Sequence, residues 1–131
     1  MTTLVVDSCV VIRFLGQPMD RSMRLLANYD RLLVPSIVSG EVSAGFFDTK
    51  QGNENKLRFF EFLSYPQIQS VPVTDRTAEL YAKVYQALRK QGTPIPQNDM
   101  WIAASALEHG ADLATYDEHF RLVPMLTAIV F

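Results

Sequence analysis

Short apolar segments that alternate with amphipathic segments are the feature that most constrains the fold of this chain. Leu4–Val6 is apolar and rich in β-branched residues, which is typical of a strand buried on both faces of a parallel sheet. Leu32–Val34, which Pro35 closes, has the same character. Three further segments are predicted to be strands: Ile68–Val71, Asp112–Thr115 and Leu126–Val130.

Helical spacing predicts helices between these strands. The predicted helices are Cys9–Leu15, Asp20–Tyr29, one that Ser36 caps, Lys56–Leu63, one that Thr74 caps and that runs to about Lys90, and one that begins near Pro96. The polar segment Asp48–Asn55 is predicted to be a turn. Because strands alternate with helices, we predict an α/β fold, a three-layer α/β/α sandwich with a central, mostly parallel sheet.

The segment Pro96–Ala106 has the composition of a helix start. Pro96 is tolerated in a first helical turn, and Asn98 is predicted to cap the helix. Asp99 then lies near the positive end of the helix dipole, on the same stripe as small apolar residues. Its carboxylate therefore faces the neighbouring elements, either as a capping group or as part of a functional site.

Three other acidic residues lie where their side chains can also reach a functional site of the predicted fold. Asp7 follows the first strand, and Asp117 follows the strand that ends at Thr115. The carboxyl ends of parallel strands meet at one edge of a sheet, where ligands bind in open α/β folds, so these two side chains share an edge. Glu41 lies near the apolar side of the helix that begins at Ser36, where an unpaired glutamate is rare. Asp7 as a helix cap and Glu41 as a partly solvated residue remain alternatives.

Carboxylates that gather in one site repel one another and require a compensating cation. Oxygen ligands suit Mg²⁺ or Mn²⁺, and such ions can activate water and stabilise a displacement at phosphorus. Histidine can bind zinc, but His109 lies at a helix C-terminus and His119 in an exposed turn, so neither is included in the predicted site. Periodicity alone does not place Asp99 beside Asp7.

The length, net charge and cysteine content limit the classes of protein to which this chain can belong. The chain has 131 residues, which we interpret as one domain over residues 1–131. A net charge of −2 gives no general basic field, so nucleic-acid binding needs local patches. Cys9 is the only cysteine, which excludes an intrachain disulfide and suits a reducing cytoplasm. We expect a cytoplasmic protein, since no apolar segment approaches membrane-spanning length and no signal peptide is evident.

Four motifs around the acidic residues resemble, in order and spacing, those of the PIN-domain family, and especially its VapC-type toxins of bacterial and archaeal toxin–antitoxin pairs. The motifs are Val5–Ser8, Val34–Val38 with Glu41–Val42, Asn98–Ala104 and Ala114–Phe120. The resemblance extends along the whole chain. It implies a Mg²⁺- or Mn²⁺-dependent endoribonuclease that hydrolyses RNA phosphodiester bonds as the toxin of a type II toxin–antitoxin pair.

The same resemblance implies the residues of the site and the partners. The implied catalytic residues are Asp7, Glu41, Asp99 and Asp117. The three aspartates among them would hold Mg²⁺ or Mn²⁺. Ser8 and Thr115 match hydroxyl positions beside the site that orient a carboxylate or water, whereas Asn98 receives no role. The implied partners are an RNA substrate, a small antitoxin and a second copy of the chain in a homodimer.

Two surface features are assigned to these partners. An excess of aromatic residues on two consecutive helices is interpreted as a place for antitoxin contact: Phe46, Phe47, Phe59 and Phe62. Basic residues that are candidates for phosphate contact around the site are Arg13, Lys50, Lys56, Arg58, Arg89 and Arg121.

Other folds with an aspartate after a strand fit less well. A response-regulator receiver needs an acidic pair at the end of the first strand, and a haloacid-type phosphatase needs a second aspartate where Cys9 stands. A dinucleotide-binding fold needs a glycine-rich turn after the first strand. The alternative that remains is a non-catalytic PIN-like module that binds RNA or a protein. Such a module is expected to lack one of the acids and to bind no Mn²⁺, and here none of the acids is missing.

Overall fold

A parallel sheet organises the fold. The computed structural model describes residues 2–16, 24 and 26–131. The strands in these residues are β1 (Thr3–Val6), β2 (Arg31–Pro35), β3 (Ile68–Val71), β4 (Asp112–Thr115) and β5 (Ala128–Val130). They form one sheet in the order β3-β2-β1-β4-β5, and each pairing is parallel, so the predicted parallel sheet is confirmed.

Helices connect the strands. In the described residues they are α1 (Ser8–Gly16), α2 (Ser36–Gly45), α3 (Gly52–Leu63), α4 (Asp75–Gln91), α5 (Gln97–Glu108) and a 3₁₀ helix (Glu118–Leu122). Half of the predicted helix Asp20–Tyr29, residues 20–23 and 25, lies outside the described residues. Among the helices that are described, none combines the length and the apolar character needed to cross a lipid bilayer.

The start of α3 differs from the prediction. The helix begins at Gly52 and not at Lys56, so the second half of the predicted turn Asp48–Asn55 is helical. Its first turn is polar and therefore lacks the apolar periodicity that marks a helix in sequence. Glu54 instead pairs with Arg58 one turn later, with 2.6 Å between the carboxylate oxygen and the guanidinium nitrogen.

Both faces of the sheet are covered. Leu4, Val5 and Val6 of β1 are completely buried, although successive side chains of a strand point to opposite faces. Helices therefore lie on each side of β1, which is the predicted three-layer arrangement.

The aromatic residues of α3 divide between the core and the surface. Phe59 and Phe62 are buried with ring centroids 6.4 Å apart, and the Phe62 ring also contacts that of Phe14 in α1 at 5.3 Å. The interpretation of Phe59 and Phe62 as a docking surface is therefore wrong. Phe60 and the preceding Phe47 are exposed instead.

Capping follows the prediction in α4 but not in α2 or α5. Thr74 caps α4 as predicted, since its hydroxyl accepts a hydrogen bond from the Thr77 backbone amide, and the structure adds the return bond of a capping box. Ser36 is the first residue of α2 and makes no side-chain cap, so its predicted capping role is wrong. Helix α5 follows Pro96 without a side-chain cap, and Asn98 lies inside its first turn. The predicted capping role of Asn98 is therefore wrong, and its amide is directed to another partner.

The carboxyl ends of β1 and β4 meet at one edge of the sheet. Val6 lies opposite Ala114, and the Asp7 backbone amide donates to the Ala114 carbonyl at 3.0 Å. The chain therefore leaves both strands at the same place, and this edge brings Asp7 next to Thr115.

A residue with left-handed backbone gives a test of the local fold. Met125 has φ 67° and a side chain that is 77% exposed, so the conformation costs free energy without compensating burial. We expect Met125→Gly to raise the free energy of unfolding by about 0.5–1 kcal/mol. Met125→Ala keeps the steric cost of a Cβ and should leave stability nearly unchanged. Urea unfolding of the two variants measures the difference, and a destabilised glycine variant would contradict the expectation.

Candidate active site

Asp7 is a buried carboxylate that three donors hold in place. Asp7 is only 5% exposed to solvent. The Ser8 backbone amide donates to Oδ1 at 2.8 Å, while the Thr115 hydroxyl donates to Oδ2 at 2.7 Å and the Cys9 thiol at 3.4 Å. Because these donors come from the start of α1 and the end of β4, they fix Asp7 at the junction of both elements.

Thr115 connects Asp7 to Asp117. The Thr115 hydroxyl, which donates to Asp7, also accepts a hydrogen bond from the Asp117 backbone amide at 3.0 Å. Asp117 in turn caps the 3₁₀ helix, since its Oδ1 accepts from the His119 backbone amide at 2.9 Å. The Thr115 hydroxyl therefore bridges the two aspartates and fixes how far apart they lie.

Cys9 shares this junction. Its sulfur accepts a hydrogen bond from the Tyr116 backbone amide at 3.4 Å and donates to Asp7. Burial, followed by the charge of Asp7, raises the pKa of the thiol to about 11, so it stays protonated and acts as a donor at neutral pH.

Asp99 reaches the same edge from the first turn of α5. Its side chain is 15% exposed, and Oδ2 lies 3.7 Å from Nδ1 of His119. Burial, followed by the charges of Asp7, Asp117 and Glu41, raises the pKa of Asp99 to about 6, while His119 acts to lower it. The four predicted acidic residues therefore act on one another electrostatically, although they come from distant parts of the chain.

Glu41 approaches from α2. Burial raises the pKa of its carboxyl group and so does the charge of Asp7, whereas hydrogen bonding from the side chains of Asn98 and Ser8 lowers it. Oε1 is buried without a hydrogen-bond partner in the described part of the protein. An unpartnered carboxylate oxygen at this position is a free acceptor for a cation or a water molecule. Asn98, which received no role from the sequence, thus supports Glu41.

His119 is the site residue that sequence reasoning missed. Its Nδ1 lies 3.0 Å from Oδ1 of Asp117, and ligand atoms of Asp99, Asp117 and His119 all lie within 4.8 Å of one another. A turn residue has no periodicity that indicates where it points. The one available signal was its position two residues after Asp117, inside the motif that carries the resemblance.

The donor set fits a divalent cation. Asp99 and Asp117 offer carboxylate oxygens within ligand distance of each other, and Oε1 of Glu41 has no partner in the described residues. Burial, followed by the neighbouring carboxylates, raises the pKa of Asp99, so a positive charge at this place would favour its ionised form. Asp7 lies outside the most compact group, and both of its oxygens accept hydrogen bonds from the protein. The chemistry available here is the binding of an ion at an acidic sheet edge.

A family model described as "PIN domain" matches residues 4–125. The chain belongs to the PIN-domain family. This range includes all four acidic residues predicted from the sequence. The VapC1 ribonuclease of Haemophilus influenzae (strain R2866) is 35% identical over 98 residues, which cover 75% of this chain and 71% of that protein.

Solved structures have the same fold. VapBC2 from Rickettsia felis, bound to a DNA fragment from its promoter, matches with a TM-score of 0.86 at 22% identity over 98% of both chains. VapBC-5 from Mycobacterium tuberculosis, described as a member of the VapBC family of toxin–antitoxin systems, matches with a TM-score of 0.74 at 22% identity. That match covers 100% of this chain and 98% of the other. At this identity the likeness concerns the fold of this PIN domain.

The crowding of carboxylates predicts an unusual effect of Asp99→Asn on stability. The pKa of Asp99 is higher in the folded protein, about 6, than its ordinary value of 3.8, so ionised Asp99 destabilises the fold above pH 6. In a chelator, the variant should be more stable than the wild type at pH 7, by an amount on the order of 1–3 kcal/mol. The difference should shrink as the pH falls through 6 and vanish below about 4.

Denaturant unfolding between pH 4 and pH 8 measures this difference. Glu118→Gln is the control, because the exposed Glu118 pairs with Arg121 at 2.7 Å and lies next to Asp117 in sequence without joining the acidic cluster. A wild type that is more stable than Asp99→Asn at pH 7 without metal would show that the carboxylates do not destabilise one another.

Proposed function

We propose that this PIN domain is a Mg²⁺- or Mn²⁺-dependent endoribonuclease and the toxin of a type II toxin–antitoxin pair. In this proposal residues 1–131 form a single nuclease domain that acts in the cytoplasm. The observation that carries it is the gathering of Asp99 and Asp117 at ligand distance, with Asp7 and Glu41 close enough to raise the pKa of Asp99. The ribonuclease name of the Haemophilus relative supports the choice of substrate.

Each acidic residue receives a role in the proposed site. Asp99 and Asp117 would hold the ion, and Asp7 would hold it directly or through water. A bound Mg²⁺ or Mn²⁺ ion would activate water and stabilise the charge that develops at a phosphate. Glu41 accepts a hydrogen bond from the attacking water through its unpartnered Oε1 and so orients that water. Thr115 positions Asp7 and Asp117 by the two hydrogen bonds it makes.

The proposed reaction is the hydrolysis of an RNA phosphodiester. The oxygen of water forms a bond to phosphorus, one phosphorus–oxygen ester bond breaks, and a proton goes to the oxygen that leaves. The protein contributes orientation and charge. Because the site is negative, it repels the RNA backbone until a cation is present.

Arg13 is the basic residue that we place beside the bound RNA. Its guanidinium carbon lies 4.3 Å from the centroid of the Tyr116 ring, next to Asp117 in the chain. The location of Arg13 beside Tyr116, the residue before Asp117, therefore makes it a candidate for phosphate contact.

Loss of an ion-holding carboxylate tests the proposed activity. We expect Asp99→Asn and Asp117→Asn to lower the rate of Mn²⁺-dependent RNA cleavage by more than about a hundredfold, beyond the loss typical of residues that only orient a ligand. Glu118→Gln should cleave like the wild type. Gel-resolved cleavage of total RNA by the purified chain measures the rates, and circular dichroism shows that the variants fold.

Two outcomes would contradict the proposal. Wild-type cleavage rates in both aspartate variants would remove these residues from the mechanism. Failure of the folded wild type to cleave RNA and to bind Mn²⁺ would favour the non-catalytic PIN-like module.

We propose that the antitoxin docks on an exposed apolar surface at and before α3. Phe47, Leu57 and Phe60 are 91%, 70% and 59% exposed. A small protein with apolar side chains fits this surface, since large exposed apolar residues are rarely grouped without a partner. The homodimer implied by the resemblance is also part of the proposal.

Phe60→Asp tests this docking surface. We expect the variant to weaken binding of the cognate antitoxin by at least about tenfold, because an exposed aromatic anchor is replaced by a charge. Tyr85→Asp is the matched control, since Tyr85 is 47% exposed on α4. Calorimetric titration with the purified antitoxin measures both affinities. Equal affinities of Phe60→Asp and the wild type would place the antitoxin elsewhere.

A further inference from the structure

The ring of His119 presents one nitrogen to the acidic cluster. Nδ1 lies 3.0 Å from Oδ1 of Asp117 and 3.7 Å from Oδ2 of Asp99. The side chain is 51% exposed, so water and ions can reach it. Resemblance to the PIN-domain family gave no role to this histidine, and the acidic residues alone account for the proposed metal site.

We infer that His119 is a direct ligand of the divalent ion through Nδ1, and that this nitrogen makes the site select Mn²⁺ over Mg²⁺. The inference rests on the proposed function, because it concerns the ion of the same site.

The spacing of the donor atoms supports direct coordination. Atoms at adjacent corners of an octahedron lie about 3.0 Å apart, and those at opposite corners about 4.2 Å apart, when each bond to the ion is about 2.1 Å. The distances from Nδ1 to the carboxylate oxygens of Asp117 and Asp99, 3.0 and 3.7 Å, fall in this range. One ion can therefore contact the imidazole and both carboxylates after small side-chain adjustments.

The backbone holds His119 at this position. Its amide donates to Oδ1 of Asp117 at 2.9 Å, and the next residue, Phe120, is completely buried in the core. The 3₁₀ helix is thus anchored on both sides of the imidazole. A ligand with an anchored backbone loses little conformational entropy when an ion binds.

The chemistry of the nitrogen decides the preference between the two ions. Mg²⁺ binds oxygen ligands and gives up its water molecules reluctantly, whereas imidazole nitrogen suits the transition metals. Two carboxylates with one imidazole therefore favour Mn²⁺ more than an all-carboxylate site does. The competing role for His119 is to orient Asp117 as a hydrogen-bond donor without touching the ion.

Metal titration of the full chain separates the two roles. Calorimetry with MnCl₂ and with MgCl₂ is carried out on the wild type, His119→Asn and His109→Asn. Asparagine places an oxygen near the position of Nδ1 and so keeps a ligand while it removes the nitrogen. His109 is the matched control, because its Nδ1 lies 2.8 Å from the Ser105 carbonyl oxygen within α5 and it is absent from the cluster.

We expect His119→Asn to lower the affinity for Mn²⁺ by about tenfold or more and to change the affinity for Mg²⁺ much less, because only the softer donor is lost. Pulsed electron paramagnetic resonance of the Mn²⁺-bound wild type should show coupling to a ¹⁴N nucleus. That coupling should disappear in His119→Asn and persist in His109→Asn.

The outcomes distinguish this inference from the proposed function. A wild type that binds Mn²⁺ and cleaves RNA but shows no ¹⁴N coupling would overturn the ligand role of His119 and leave the nuclease intact. Equal losses of affinity for both ions in His119→Asn would also overturn it, since orientation of Asp117 affects either ion alike. A wild type that binds neither ion would overturn both.

Discussion

The hydrogen bonds that Asp7 accepts are the interaction on which the rest of the site depends. A carboxylate this deeply buried is tolerated only when donors surround it, and here they come from the start of α1 and from Thr115 at the end of β4. Thr115 also binds the backbone of Asp117, so one hydroxyl sets the relation between two acids that lie far apart in sequence. The parallel register of β1 and β4 brings these groups together, which makes the position of the site a consequence of the sheet.

The site combines a firm scaffold with unfavourable electrostatics. Asp99 is partly buried near three other carboxylates, and its raised pKa reports the free energy that this burial and repulsion withhold from folding. Only a group that binds the folded state and supplies positive charge can offset that repulsion, and binding of this kind adds stability by mass action. Ligand atoms of Asp99, Asp117 and His119 all lie within 4.8 Å of one another, and the charge of Glu41 acts on Asp99. The family membership, the fold and the electrostatics thus support the proposed ion site at the carboxyl edge of the sheet.

Sequence reasoning succeeded where a local pattern has one physical interpretation. Leu4–Val6 and Leu32–Val34 were correctly predicted to be buried strands, and Thr74 was correctly predicted to be a helix cap because the amide that it binds is close in sequence. It failed where two local interpretations compete. Asn98 has the composition of a cap but lies within the helix and supports Glu41, and Phe59 and Phe62 pack in the core although their number suggested a surface role.

The sequence by itself determined the alternation of strands and helices. It thereby also determined that Asp7 and Asp117, which follow two of the strands, lie at the same edge of the sheet. It determined these features because burial and backbone hydrogen bonding act between residues that are near one another in the chain or paired by a regular rule. Only the tertiary structure decided that Asp99 and Glu41 come to that edge, that Cys9 donates to Asp7, and that His119 turns Nδ1 toward two carboxylates. These contacts join residues from separate helices and turns, and their geometry depends on how whole elements pack, which no local periodicity encodes.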